Sequence, residues 1–161
     1  MKRYGLFLLV ALLGLSLAAG SALAFKVPFF GGGSSNTLTP KNAMLTIPVK
    51  DISDGKAHYF KVKADDGVLV TFFAVKSKDG VIRAAIDACD VCYKAGKGYV
   101  QEGDFMICEN CGQRFATSRI NVVKGGCNPA PLKRAIQGSN LVISMQDINA
   151  NSWYCRYKPQ S

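Results

Sequence analysis

Cys89–Leu132 reads CDVCYKAGKGYVQEGDFMICENCGQRFATSRINVVKGGCNPAPL and holds five of the six cysteines in the 161-residue chain. Four of them form two pairs, Cys89/Cys92 and Cys108/Cys111, with 15 residues between the pairs. Each C-x2-C pair can bring two sulfurs to one point, and a connection of that length can fold back as a hairpin to merge the pairs. Gly98–Gln101 and Asp104–Ile107 are short strand candidates around a Glu102-Gly103 turn, which puts the two pairs on loops at one end of a small hairpin stack. The expectation is a four-sulfur metal site on Cys89, Cys92, Cys108 and Cys111, with Cys127 as a candidate further ligand.

Strand signals dominate on either side. Upstream, Met44–Ile47, His58–Val62, Val68–Val75 and Val81–Ile86 are rich in strand formers, and Val68–Val75 is long and apolar enough to be buried on both faces. Asp54-Gly55, Asp66-Gly67 and Asp79-Gly80 separate these runs, and the last two predict consecutive hairpins from Tyr59 to Ile86. Downstream, Leu132–Gln137 reads as one helical turn stopped by Gly138, and Leu141–Met145 and Trp153–Tyr157 read as closing strands. The class is mainly β, a small antiparallel sheet or hairpin stack with cysteine knuckle loops.

The N-terminus carries a targeting pattern. Lys2 and Arg3 precede an apolar run from Leu6 to Ala19, and Ala22-Leu23-Ala24 supplies a small-x-small cleavage signal. Residues 1–24 therefore read as a signal peptide, or as an uncleaved anchor, and either places the remainder outside the cytoplasm. The basic pair is not a twin-arginine signal, so secretion of an unfolded chain is expected. Residues 25–40, with Gly31–Asn36 at their centre, read as a flexible linker that leads to one domain over 41–161. The formal charge of +9 includes Lys2 and Arg3, and the other basic residues are dispersed. Such a surface suits an anionic lipid or an acidic partner as well as plain solvation. Without a basic cluster interleaved with aromatics, nucleic acid is not expected.

Two resemblances follow from these residues. DGVIRAAIDACDVCYKAGKGYVQEGDFMICENCGQRF, followed by RINVVKGGCNPAPL and preceded by DISDGKAHYF, resembles the FtrD-like family of membrane iron–sulfur-containing proteins. That resemblance implies Cys89, Cys92, Cys108 and Cys111 as cluster or metal ligands, with Cys127 in the same signature. It also implies a link to ferrous-iron uptake and to a membrane iron-transport or redox partner. The second likeness is architectural, to the Rieske iron–sulfur module, with its two ligand loops at a similar interval on stacked antiparallel strands. Cys108-x-x-Cys111, Phe115 and Gly125–Leu132 carry it. Cys92 and Cys111 stand where that module has histidines, which implies a more reducing centre than a Rieske cluster. A zinc-ribbon-like knuckle pair is the competing architecture.

Several chemistries stay open at this level. Four thiolates suffice for an iron–sulfur or mononuclear iron site used in electron transfer. They also suit structural zinc in a module that only holds its hairpins together. An exported chain favours disulfides, with Cys127–Cys155 among the pairings. A thiol–disulfide oxidoreductase ranks third, since the βαβ context of such enzymes is missing. Haem c attachment is excluded because Tyr93 and Gly112, not histidine, follow the pairs. The expectation is a redox or iron-handling accessory protein rather than an enzyme, in the periplasm or on the outer face of the cytoplasmic membrane.

The remaining candidates are weighed the same way. His58, the only histidine, is either a strand side chain or a partner of the cysteine site. Asp87, Asp90, Glu102, Asp104 and Glu109 are turn residues or a weak docking face for a cation. Lys94, Lys97 and Arg114 could balance an anionic centre. Trp153, Tyr154 and Tyr157 read as packing.

Overall fold

The computed structural model describes residues 36–160. The expected signal peptide at 1–24 and most of the expected linker at 25–40 lie outside them. The first pairing comes before Lys41: strand β1 (Asn36–Thr37) runs parallel to strand β3 (His58–Lys63), with Asn36 opposite Phe60.

The expected meander is the centre of the fold. Strands β3 (His58–Lys63), β4 (Leu69–Lys76) and β5 (Ile82–Ile86) pair antiparallel through turns at Asp66-Gly67 and Asp79-Gly80. Side chains alternate across a strand, so β4 feeds two different cores. Val70, Phe72 and Ala74 enter one, and Phe73 and Val75 enter the other. Neighbouring strands keep the same division, with Phe60, Val62, Ala84 and Ile86 on the first side and Ala85 on the second.

The first core is closed by a three-stranded sheet of order β2 (Met44–Pro48), β10 (Asn140–Ser144) and β9 (Ala135–Gln137). Leu45, Ile47, Leu141 and Ile143 meet the meander there. The second core is closed by β6 (Tyr99–Glu102), β7 (Phe105–Cys108) and β8 (Arg114–Ala116), which contribute Tyr99 and Met106 beside Cys89, Cys92 and Cys108. The molecule is thus mainly β, with the cysteine layer on one face of the meander and the β2–β10–β9 sheet on the other.

Two C-terminal expectations are corrected. Ala135–Gln137 is a strand, not a helical turn, because β10 satisfies its backbone, with Leu141 opposite Ile136 and Val142 opposite Ala135. All three of its side chains are exposed, so no apolar alternation marks it. Trp153–Tyr157 is not a strand. Helix α1 (Met145–Ala150), capped by the Ser144 hydroxyl accepting from the Asp147 amide at 3.2 Å, leads into a 3-10 turn at Ser152–Cys155. β4, against which this turn packs, already has a strand on each edge, so no ladder is open to the segment. Its aromatics stack instead: Trp153 lies on Tyr154 with centroids 3.7 Å apart.

Cys155 belongs to the first core, not to the cysteine layer. It is fully buried, its sulfur takes the Thr71 amide at 3.4 Å, and it is a free thiol rather than bridged to Cys127. Burial pushes this thiol up to about 11. Between the ordinary thiol value and that one, the unfolded chain has lost the proton while the folded chain keeps it. The stability from this group therefore falls as pH rises through that window. Alkylation of Cys155 by iodoacetamide at about pH 8.5 is expected to proceed only at the rate of global unfolding. Peptide mapping against time checks this, and rapid labelling of the native chain would contradict it.

Candidate metal centre

The cysteines arrive on three separate segments. β5 ends at Ile86, and Asp87-Ala88 carries the chain into a knuckle in which the Cys92 amide donates to the Cys89 sulfur at 3.2 Å. β7 ends on Cys108, and the backbone then turns so that the Gly112 amide donates to the Cys108 carbonyl at 2.8 Å. Cys127 comes from further along. Residues 130–132 run beside β5, with the Ile86 amide on the Ala130 carbonyl at 2.8 Å and the Leu132 amide on the Ala84 carbonyl at 3.1 Å. Pro129 and Pro131 have no amide to donate, so this stretch pairs without forming a regular strand. Its docking returns Cys127 to Cys89.

The thiol sulfurs of Cys89, Cys92 and Cys127 lie within 4.8 Å of one another, and so do those of Cys92, Cys108 and Cys111. Cys92 is common to both sets and links them. All five cysteines of the opening stretch therefore converge. They are unequally exposed: Cys89, Cys92 and Cys108 are buried, Cys127 is half-buried and Cys111 is exposed. His58 does not join them. Its Nε2 is 2.7 Å from the Asp54 carboxylate. Nor do the carboxylates form a cation face: Glu102 pairs with Arg114 at 2.8 Å, Asp104 with Lys78 at 3.3 Å, and Asp90 accepts from the Tyr154 hydroxyl.

The electrostatics suit a bound cation. Burial, then contact with neighbouring thiols, pushes Cys127 up to about 12. Cys108 also rises to about 12, by burial first, although the Cys111 and Asn110 amides favour its thiolate. Cys111 is held below the ordinary thiol value chiefly by the Gln113 amide. The Asn110 side-chain amide donates to the Cys92 sulfur at 3.4 Å. Amides aimed at sulfur favour thiolates, while burial without a cation opposes them, so a metal binding here displaces protons.

A single tetrahedral ion with metal–sulfur bonds of about 2.3 Å draws four sulfurs to about 3.8 Å from each other. Among the described residues the sulfurs instead form two overlapping triads, and no four share a 4.8 Å radius. That spread, with only thiol donors and several N–H groups aimed at sulfur, fits an iron–sulfur centre.

A buried ion pair braces the site, and sequence reasoning missed it. Asp87, which reads in sequence only as a turn residue or part of a weak cation-docking face, accepts from the Tyr99 amide at 2.8 Å and from Lys158 Nζ at 2.9 Å. Burial pushes its carboxyl up to about 6 even beside that ammonium. Lys158 also reaches the Gly96 carbonyl at 3.4 Å, tying the C-terminal tail to the cysteine layer. The expected cation Arg114 is turned away, on Glu102 and over the Phe105 ring at 4.9 Å. Lys97 lies by the small cavity beside Cys89, Cys92 and Cys108. No local pattern marks Lys158, which lies 71 positions from Asp87. Tyr99 locks the far side, its hydroxyl donating to the Cys127 carbonyl at 2.5 Å while its own carbonyl accepts from Tyr59 at 2.8 Å.

Gly98 has φ +93°, and a Cβ there would stand 2.3 Å from an Asp87 carboxylate oxygen that the ion pair holds in place. Gly98→Ala is expected to destabilise the fold by about 2–4 kcal/mol, from the strained backbone together with the displaced pair. Urea denaturation checks this, and a midpoint unchanged from the parent chain would contradict it.

Comparison with known proteins gives two findings. The family model for membrane iron-sulfur containing protein FtrD-like matches residues 52–154. Among solved structures, the chain is similar to the crystal structure of the quaternary ammonium Rieske monooxygenase CntA in complex with an inhibitor. The TM-score is 0.43 at 16% identity, covering 61% of this chain and 29% of that one. No curated protein matches the chain. Among the described residues, no helix is long and apolar enough to cross a membrane.

Proposed function

The chain belongs to the FtrD-like family of membrane iron–sulfur-containing proteins, and from that membership we propose that it is an iron–sulfur or iron redox accessory protein linked to iron uptake. The observation that carries this reading is the convergence of five thiols in two triads that share Cys92. An iron–sulfur group, when bound, supplies reversible one-electron chemistry. Cys89, Cys92, Cys108 and Cys111 would hold it, with Cys127 alongside.

The chain's own residues have definable parts in this. The N–H groups of Cys92, Asn110, Cys111 and Gln113 stabilise negative charge on sulfur, the lever by which a protein sets the potential of such a centre. Tyr99 and Phe73 exclude water from the inner side. Exposed Cys111 leaves the outer side open to a partner, which supports electron exchange across that face. Tyr93, which follows Cys92, contacts Trp153 and Tyr157 at the surface. The N-terminal basic and apolar segments support an exported chain, working in the periplasm or on the outer face of the cytoplasmic membrane with a membrane iron-transport or redox partner.

The test is anaerobic purification of the full chain in detergent, with assays of iron, sulfide and zinc and a visible spectrum. Iron with sulfide and an absorption bleached by reductant is the expected result. A colourless chain holding one zinc would overturn the proposal in favour of a structural module.

A further inference from the structure

A groove of about 360 Å³ lies beside the first core. Both sheets of that core line it: Val81 and Ile82 come from the meander, Arg134 and Ile136 from β9 and the residue before it, and Val49 from the turn after β2. Val81 and Ile136 are exposed aliphatic side chains, and Arg134 is the one charged residue among the described lining. Its Nε donates to the Ile82 carbonyl at 2.8 Å, which anchors the half-buried guanidinium. Among the described residues, its two terminal amino groups have neither a hydrogen-bond acceptor nor a carboxylate in ion-pair range. Arg83 makes the contrast. It reaches the neighbouring Val81 carbonyl at 3.4 Å, but Asp79 meets it with two bonds of 2.7 Å and the Ile120 carbonyl takes its Nε at 3.0 Å. Two guanidiniums thus flank residues 81 and 82 with one carboxylate to balance them. We propose that the groove binds a small amphipathic carboxylate, whose oxygens pair with the free amino groups of Arg134 and whose apolar body lies along Val81, Ile82 and Ile136.

The chemistry selects that ligand class. A guanidinium stays charged even where burial and a second cation oppose it, so an anion is the only species that settles it. Its planar fork matches the two oxygens of a carboxylate, and such bidentate pairs are the stronger ones. No other donor in the β4–β5 turn is open to share the charge. The Gly80 amide is taken by the Ser77 carbonyl at 2.8 Å and the Val81 amide by the Asp79 carboxylate at 3.2 Å. A single cation with no supporting amides fits a monoanion rather than a doubly charged phosphate. The remaining lining is aliphatic or glycine, and a groove of this size with one convergent polar group takes a small molecule. β9 belongs to the sheet that covers the face of the meander opposite the thiols, so the site is separate from the metal centre.

The experiment titrates hexanoate into the full chain held in nanodiscs of neutral phosphatidylcholine, with empty nanodiscs as the blank for partitioning. Calorimetry is expected to show saturable binding of one hexanoate per chain, and hexanamide, which lacks the charge, is expected to bind at least about tenfold more weakly. Arg134→Gln is expected to lose as much. Ile136→Glu sets a like charge in the groove at an exposed position, so it is expected to weaken binding without touching the core, and it decides the matter even if Arg134→Gln does not fold. Heat that stays linear with concentration, equal binding of the amide, or full affinity in the Ile136→Glu variant overturns the proposal. Tighter binding of hexylphosphonate than of hexanoate overturns the preference for a monoanion. Chains with and without metal are expected to bind alike, so zinc in place of iron would defeat the redox reading while leaving this titration intact.

Discussion

A Cys108→Ser variant is expected to lose at least about 100-fold in metal affinity and, with it, the hydrogen-exchange protection of the cysteine layer. Cys108 is 1% exposed and ends β7, its sulfur within 4.8 Å of those of Cys111 and Cys92. A serine oxygen is a harder and more weakly acidic donor than thiolate, so the site loses both affinity and a fixed point for the β7–β8 turn. The effect should be local. The second core is held by few large side chains, Phe73, Tyr99, Met106 and Ile120 among them, whereas the first has Phe60, Phe72, Leu141 and Ile143 independently of the thiols. Chelation of the parent chain is expected to act in the same way, exposing amides of residues 89–127 while those of β3 and β4 stay protected. Metal analysis and hydrogen exchange measure both effects. Full metal retention by the variant would move the fourth ligand from Cys108 to Cys127.

Removing the ammonium of Lys158 is the second large effect. Lys158→Met is expected to cost about 3–5 kcal/mol, because Asp87 would stay buried without its partner. The side chains of the pair are only 6% and 9% exposed, so water cannot replace the lost contact. The tail would also lose its hold on the Gly96 carbonyl. The double variant Lys158→Met with Asp87→Asn removes both charges and is expected to recover part of that loss, although the Tyr99 amide then has a weaker acceptor. Urea denaturation of the parent, the two single variants and the double variant closes the cycle. Additive losses would show that the two residues do not act as a pair.

The sequence alone determined the parts whose physics is local. Runs of β-branched and aromatic residues between Asp-Gly turns marked β3, β4 and β5, because a half-buried pleated surface and a tight turn each demand particular side chains. The C-x2-C spacing marked both knuckles, since a three-residue step is the chain's own way of bringing two sulfurs together. Tertiary structure decided what depends on distant partners. β9 has no apolar face of its own and exists because β10 pairs with it. Trp153–Tyr157 has strand-forming residues, yet its first part packs on β4, whose two edges are already taken by β3 and β5. The same holds at the site. Cys127 reaches the other thiols only because residues 130–132 dock on β5, and Lys158 reaches Asp87 only because the tail folds back over Gly96. The thiols were legible as a set; which of them touch, and which charge stands behind them, followed from packing, where burial makes an unpaired polar group too costly to leave.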